Sequence, residues 1–288
     1  AHGDRVRVLI GGMRVLRAAG FACLLACGLG SVQPAFAQGS AAPTFPSRPM
    51  RIVVPFTPGG SQDVIARLFA QKLTESLKQH VVIDNRGGAG STLGTEIVAK
   101  SPADGYTWVM VFDTHGVNPS LYPNLPFDTL KDLTPVMQIG TGSMVITAHA
   151  STPYKTYNDL LQAANSKPGA IGYGTIGSGS MAHLAMTYLG NTLKVDWTHI
   201  PYKGGGPLAA DGVAGHVPVT MATYALWAPH FASGRLRPLA VTSPKRMQEL
   251  PDVPTLQELG IEGFEAQAYW GLLGPAGIPP NIVNRMNA

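Results

Sequence analysis

Short apolar runs alternate along this chain with stretches whose apolar positions recur every three or four residues. The run RIVVP at 51–55 predicts a buried strand, and Val64, Ile65, Leu68, Phe69, Leu73 and Leu77 after it predict one face of a helix. VVID at 81–84 predicts a second strand. The Gly-rich turn NRGGAGSTLG at 85–94 leads into a helix over TEIVAK, and YTWVMVF at 106–112 predicts a third strand. A helix is expected at about 156–166, opened by Thr156 with Asp159 three residues on, the spacing of a capping box. IGYG at 171–174 reads as a strand, and GSGSMAHLAMTYLG after it as a turn into a helix. WTHIPY at 197–202, VPVTMA at 217–222, RPLAVTS at 237–243 and YWGLLG at 269–274 are further strands, with YKGGGPLAA between the first two. PPNIVNRMNA opens a last helix with Pro280 in its first turn. Strand–helix alternation of this kind predicts an α/β fold with mainly parallel sheets.

The first 37 residues carry a different pattern. Arg14 and Arg17 precede the apolar stretch GFACLLACGLG, and AFA at 35–37 follows, then Gln38. Basic, apolar, then small-x-small is the layout of a secretory signal cleaved after Ala37. The apolar run is too short and Gly-rich for a good spanning helix. Met13 reads as the start, with residues 1–12 as upstream translation. The competing processing site is LLAC at 24–27, which would leave an acylated Cys27. A periplasmic chain released at Gln38 is the expectation.

That assignment changes the composition. Four of the 21 Lys+Arg but only one of the 17 Asp+Glu fall in residues 1–37, so the formal charge drops from +4 to +1. The basic balance belongs to the leader and does not argue for nucleic acid. Both cysteines, Cys23 and Cys27, are also there, so the mature chain has no disulfide, thiol nucleophile or cysteine metal ligand.

Two strand–turn–helix junctions carry the candidate chemistry: PFTPGGSQD at 55–63 and GTIGSGSMAH at 174–183. The first N–H groups of a helix lack intrahelical partners and carry the positive end of the helix dipole, so an anion is stabilised there. Gly59 and Gly60 allow close approach to the backbone; Ser61 and Ser180 can cap their helices or donate to a carboxylate. Ordinary N-caps are the alternative for either junction alone. His115 and His183 are candidates for anion contact, against the alternative of hydrogen-bonded, half-buried histidines. Lys203 could pair with a carboxylate, and Trp197, Tyr202, Tyr224, Trp227 and Trp270 could wall an aromatic pocket or fill the core.

Gly172, Gly174 and Gly177 match a dinucleotide fingerprint with Asp196 beyond, but the helix is expected only at Ser180, after the glycines. No G-x-S-x-G and no H-E-x-x-H occur in the sequence.

The segments FPSRPMRIVVPFTPGGSQDVIAR, DNRGGAGSTLGTEIVAKSPADGYT, HGVNPSLY, YGTIGSGSMAHLA, IPYKGGGPLAADGVAGHVPV and DVPTLQELG occur in the order seen in one family. From about Phe45 to its last residue the chain resembles the periplasmic solute-binding proteins of tripartite tricarboxylate transporters, the Bug receptors. The resemblance implies a two-lobed periplasmic-binding fold, type II-like, each lobe a mainly parallel sheet flanked by helices. It implies closure on a small organic carboxylate, mono- or dicarboxylate and possibly aromatic, held largely by backbone N–H groups and ordered water. It also implies delivery to the permease subunits of the transporter. Family members continue further, so a truncated C-terminus is expected. Lobe 1 is expected at 45–142 and 267–288 and lobe 2 at 143–266, with crossings near Gly140–Ser143 and Phe264–Gln267. The expected ligand-binding set is Thr57, Gly59, Gly60, Ser61, Asp63, Asp113, Thr114, His115, Thr175, Ser178, Gly179, Ser180, His183, Lys203, Thr223 and Tyr224. No catalytic residue, metal, cofactor or nucleic acid is expected, and the chain is expected to be a monomer. Family sequences place acidic residues near G-Q-V-D-x-x-x-D, where this chain has GHVPVTMATY; that disfavours an amino-acid ligand whose ammonium needs an acidic partner. The rival class is a secreted hydrolase of carboxylic esters.

Overall fold

A computed structural model describes residues 45–288. The leader, its cleavage after Ala37 and the alternative acylation of Cys27 lie outside the described residues.

The first sheet grows from β1 (Met50–Val54), which pairs in parallel with β2 (Val81–Asn85) on one side and β3 (Thr107–Val111) on the other. Helix α1 (Ser61–Leu77) connects β1 to β2, and α2 (Thr92–Ala99) connects β2 to β3. Helix α3 (Thr114–Leu121) follows, and then β4 (Leu133–His149), a strand of 17 residues. Next come α4 (Tyr157–Ser166), β5 (Gly172–Thr175), α5 (Met181–Leu193), β6 (Thr198–Pro201), α6 (Gly205–Ala214), β7 (Val219–Thr223), α7 (Tyr224–Ala232) and β8 (Leu236–Val241). Strand β9 (Gln267–Pro275) and α8 (Pro280–Asn287) close the chain.

The strand order is β2-β1-β3-β9-β4-β7-β5-β6, with β8 also on β4. β5 pairs in parallel with β6 and β7, whereas β4, β8 and β9 introduce antiparallel pairing. The change of partner along β4 organises the molecule. Residues 133–143 pair with β9, and residues 144–149 pair with β7 and β8. Two register shifts, at Pro135/Met137 and Gln138/Gly140, bend the first part. Thr242, fully buried, fastens the crossing: it accepts the Met144 amide at 2.9 Å and donates to the Ala266 carbonyl at 2.5 Å.

The apolar periodicity of α1 is rotated from the expected face. Val64 and Leu68 are 44% and 57% exposed, while Ala66, Ala70 and Leu77 are buried and Ile65, Phe69 and Leu73 pack against the core. The small residues turn inward because Gln62 and Asp63 are themselves buried in the first turn, with the Gln62 amide donating to the Met110 carbonyl on β3. Thr156 forms the expected capping box with Asp159, its hydroxyl accepting at 3.1 Å and the carboxylate accepting the Thr156 amide at 2.8 Å. YKGGGPLAA, read only as a connection, contains the start of α6. Six alanines and glycines in its ten residues hide the apolar face, and only Leu208 marks it as fully buried. Trp108 is fully buried with its indole N–H donating to the Gly105 carbonyl at 2.7 Å; removal of such a side chain costs about 3–5 kcal/mol.

Candidate functional site

Loops at the strand ends of the first sheet touch loops of the second along a seam. The Thr57 hydroxyl donates to the Lys203 carbonyl at 3.2 Å. Gly60, the N-cap of α1, lies so close to Gly205 at the start of α6 that a Cβ on Gly60 would stand 3.2 Å from the Gly205 Cα. Along this seam is a cavity of about 610 Å³.

One wall of the cavity is the loop Gly87–Ser91, and the opposite wall is Ile176–Ser178 with Pro201–Lys203; Phe56, Thr57 and Tyr122 complete it. Lys203 is the one charged side chain among these lining residues. Gly88, Ala89, Gly90 and Ser91 all have positive φ, from 46° to 143°. For Ala89 and Ser91 this costs roughly 1 kcal/mol each or more, so the surroundings must hold the loop. Buried Asn118 does so, donating to the Gly90 carbonyl at 2.9 Å and to the Ser91 hydroxyl at 3.2 Å. The Ser91 and Thr114 hydroxyls are also joined, at 2.9 Å.

Beneath the cavity is a narrow internal space lined by Ser61, Phe112, Met144, Ile176, Ala182, Ala222 and Thr223. The first turns of α1, α5 and α7 begin at or beside these residues, so several positive helix ends converge there. The Thr223 hydroxyl is buried without a hydrogen-bond partner.

The expected residues therefore separate. Thr57, Ser178 and Lys203 line the cavity, and Ser61 and Thr223 line the narrow space. Gly60 packs on Gly205. In others the polar groups are spent inside their own loops. The Gly59 amide donates to Asp63 at 3.1 Å, and Arg67 binds the same carboxylate. Burial works to raise the Asp63 pKa, but Arg67, the Gly59 amide and Asn85 outweigh it and hold the group below the usual carboxylate range. The Gly179 amide donates to His183 Nδ1 at 3.2 Å, and Ser180 accepts the His183 amide at 3.3 Å while donating to Gly177. Thr175 is fully buried and shares its hydroxyl with His199 Nε2 at 2.7 Å and the Gly177 carbonyl.

The His183 and His199 rings stack at 4.1 Å. Burial lowers both; His199, also opposed by His183, falls to about 4. His115 is buried, and burial pushes it down to about 4, so it is neutral at pH 7. Asp113 is 2% exposed and reaches neither lining. Tyr224 opens α7 and packs toward Phe231.

Of the aromatic candidates, Tyr202 lines the cavity. Its hydroxyl donates to Asp211 at 2.9 Å, and burial first, then this bond, raises it to about 12. Trp227 and Trp270 are core residues, and Trp197 packs on Tyr173. Gly87–Ser91 and Tyr122 were not among the expected site residues. The glycine density of NRGGAGS was visible in the sequence, but its closeness to Ile176–Ser178 is set by the tertiary fold.

A second cavity, an open groove of about 800 Å³ along Gly116–Leu130, adjoins the seam cavity at Tyr122. No helix among the described residues is long and apolar enough to cross a membrane.

Comparison with known proteins gives one consistent picture. The family model described as the tripartite tricarboxylate transporter family receptor matches residues 65–288. Protein BugT of Bordetella pertussis is 37% identical over 255 residues, covering 86% of this chain and 78% of its own. An R. palustris protein solved with adipate is 36% identical with a TM-score of 0.82, covering 84% of this chain and 82% of that one. MatC from Rhodopseudomonas palustris, with bound malate, is 32% identical with a TM-score of 0.79, covering 84% and 83%.

Proposed function

The chain belongs to the tripartite tricarboxylate transporter receptor family, a family of solute-binding proteins, and from that premise we propose that it captures a small organic carboxylate in the seam cavity and presents it to a membrane transporter. The observation that carries this is the cavity itself: the glycine-rich loop Gly87–Ser91 on one wall, Ile176–Ser178 and Pro201–Lys203 on the other, with Lys203 as the single charged lining residue. Backbone amides and one cation suit a carboxylate, and the volume is ample for a dicarboxylate of a few carbons. Adipate and malate in two relatives support the class. The rival reading, an ester hydrolase, gains no support from the family or from the relatives.

The lobes in this reading are 45–142 with 267–288 and 143–266, because the partners of β4 change between Ser143 and Met144. A ligand touching both lobes binds the closed state better and shifts the population toward it. The proposed contacts are Thr57, Ser178 and Lys203 in the cavity, with Gly60 and the helix start at Ser61 facing them. The experiment is a thermal-shift panel of mono- and dicarboxylates including adipate and malate, run beside an ester-turnover assay. A dicarboxylate that raises Tm without turnover supports the receptor. Turnover, or no shift with any carboxylate, overturns it.

A further inference from the structure

Asp113 stands at the head of α3, on the lobe that carries β3, and faces the first turn of α5 on the opposite lobe. Its residue is 2% exposed and neither carboxyl oxygen has a hydrogen-bond partner. The amides of Met181 in α5 and of Thr114 in its own helix are directed toward the carboxyl, but neither meets hydrogen-bond geometry. The other titratable groups around it are uncharged. Burial first, and then the aspartate beside it, raises Tyr269 on β9 and keeps it neutral, and burial keeps His115 neutral. His183 in the first turn of α5 is engaged with Gly179 and His199. No lysine or arginine acts on Asp113. A buried carboxylate without a cation or hydrogen bonds is costly, and such a group in a native seam calls for a reason.

We propose that Asp113 is a proton-operated latch on the seam: the cleft closes with this carboxyl protonated, and its ionisation favours opening. The proposal rests on the receptor reading and concerns the regulation of that site. Closure carries the start of α5 over Asp113 and strips it of water; opening returns the carboxyl to solvent, where it loses its proton to bulk water. The proton moves between solvent and one oxygen of Asp113, and no other bond changes. Burial raises the group to about 7 in this structure, which the proposal takes as the closed arrangement, against about 4 for a solvated aspartate. Between those two values closing takes up a proton, so carboxylate affinity falls as pH rises through that window and levels off above it. Without the latch residue the slope disappears.

The test is calorimetric titration of the full chain with adipate, or with the tightest binder of the carboxylate panel, in buffers of different ionisation enthalpy. The parent and Asp113→Asn are compared. At pH 6.5 the parent should take up about 0.8 of a proton more than the variant, and its affinity should drop by up to about tenfold per pH unit between pH 5 and 7. The histidines and the ligand titrate alike in both proteins, so the difference isolates Asp113. Asp113→Ser should behave as Asp113→Asn does, which guards against a defect specific to one variant. Binding with equal proton uptake in parent and variants overturns the latch while leaving the receptor reading intact. If no carboxylate binds, the receptor reading falls, and the latch is judged on the unliganded chain. The radius of gyration from small-angle scattering should then increase from pH 5 to 8 in the parent and stay constant in Asp113→Asn; a constant radius in both overturns it.

Discussion

The starts of α1 and α5 look alike in sequence and repeat one local bond, yet they are electrostatically different. In each, a glycine amide is held by the side chain four residues on: Gly59 by Asp63, Gly179 by His183. At α1 the holder is an ionised carboxylate already paired with Arg67, so the positive helix end is met by a charge of the chain itself. At α5 the holder is an imidazole lowered by burial, and the nearby acid is the unpartnered Asp113. Ser180 caps α5, whereas α1 has Gly60 as its N-cap and no side-chain cap. A glycine-rich strand-to-helix turn is therefore not one kind of anion site; the groups that already occupy its amides decide what remains for a ligand.

The largest effect that would test this contrast is at Gly60. A valine there would force the seam against Gly205, whose Cα and N stand 3.2 and 3.3 Å from the added Cβ. Carboxylate affinity should fall about 100-fold, roughly 2.8 kcal/mol, by calorimetric titration, with the fold retained by circular dichroism. Unchanged affinity would mean that this contact does not close on a ligand. Next come the two aspartates, which should respond with opposite signs. The folded pKa of Asp113 is raised, so its burial cost grows as pH climbs from about 4 to about 7. Asp113→Asn should thus be more stable than the parent at pH 8, by about 2 kcal/mol, with the gap closing as pH falls below about 4. Asp63 is depressed, so its contribution is present above the unfolded value near 4 and fades as pH falls through the folded one. Asp63→Asn should cost about 1 kcal/mol at pH 7, a modest figure because Arg67 is 56% exposed. Thermal melts across pH read both, and a shared sign would erase the contrast. The smallest effects are at the two serines. Ser180→Ala should cost about 1 kcal/mol through its lost cap, a Tm drop of about 2–4 °C. Ser61→Ala, with no cap to lose, should stay within about 0.5 kcal/mol.

Elements with strong period were legible from the sequence. β1 and β3 are buried runs, β2 is a half-exposed strand at the sheet edge, and the capping box of α4 formed as read. What escaped was set by tertiary contact. β4 carries Pro135, Gly140 and Gly142 within its span and lacks a clean alternation, so nothing local marks it as one strand. α3 and α7 each contain a proline, Pro119 and Pro229, which reads as a break. In the site, Lys203 was visible because it sits among aromatics and glycines, and it lines the cavity. Ser91 was not, since its place depends on Asn118 holding the loop from another helix, and Tyr122 was not, since it ends that same helix far away in sequence from the loop. Thr175 and Ser180 look like ligand hydroxyls in sequence, but their bonds are satisfied within the second junction.

One consequence follows from the unbroken course of β4. Its 17 residues serve first β9 and then β7 and β8, without a loop between. A protease therefore finds no slack segment there whose cleavage would yield two intact halves, and a cut would remove a strand from both sheets at once. Any swing between the halves must be taken up as torsion of a hydrogen-bonded ribbon fastened at Thr242. Such a joint resists and returns like a torsion bar, where a flexible tether would let the halves drift.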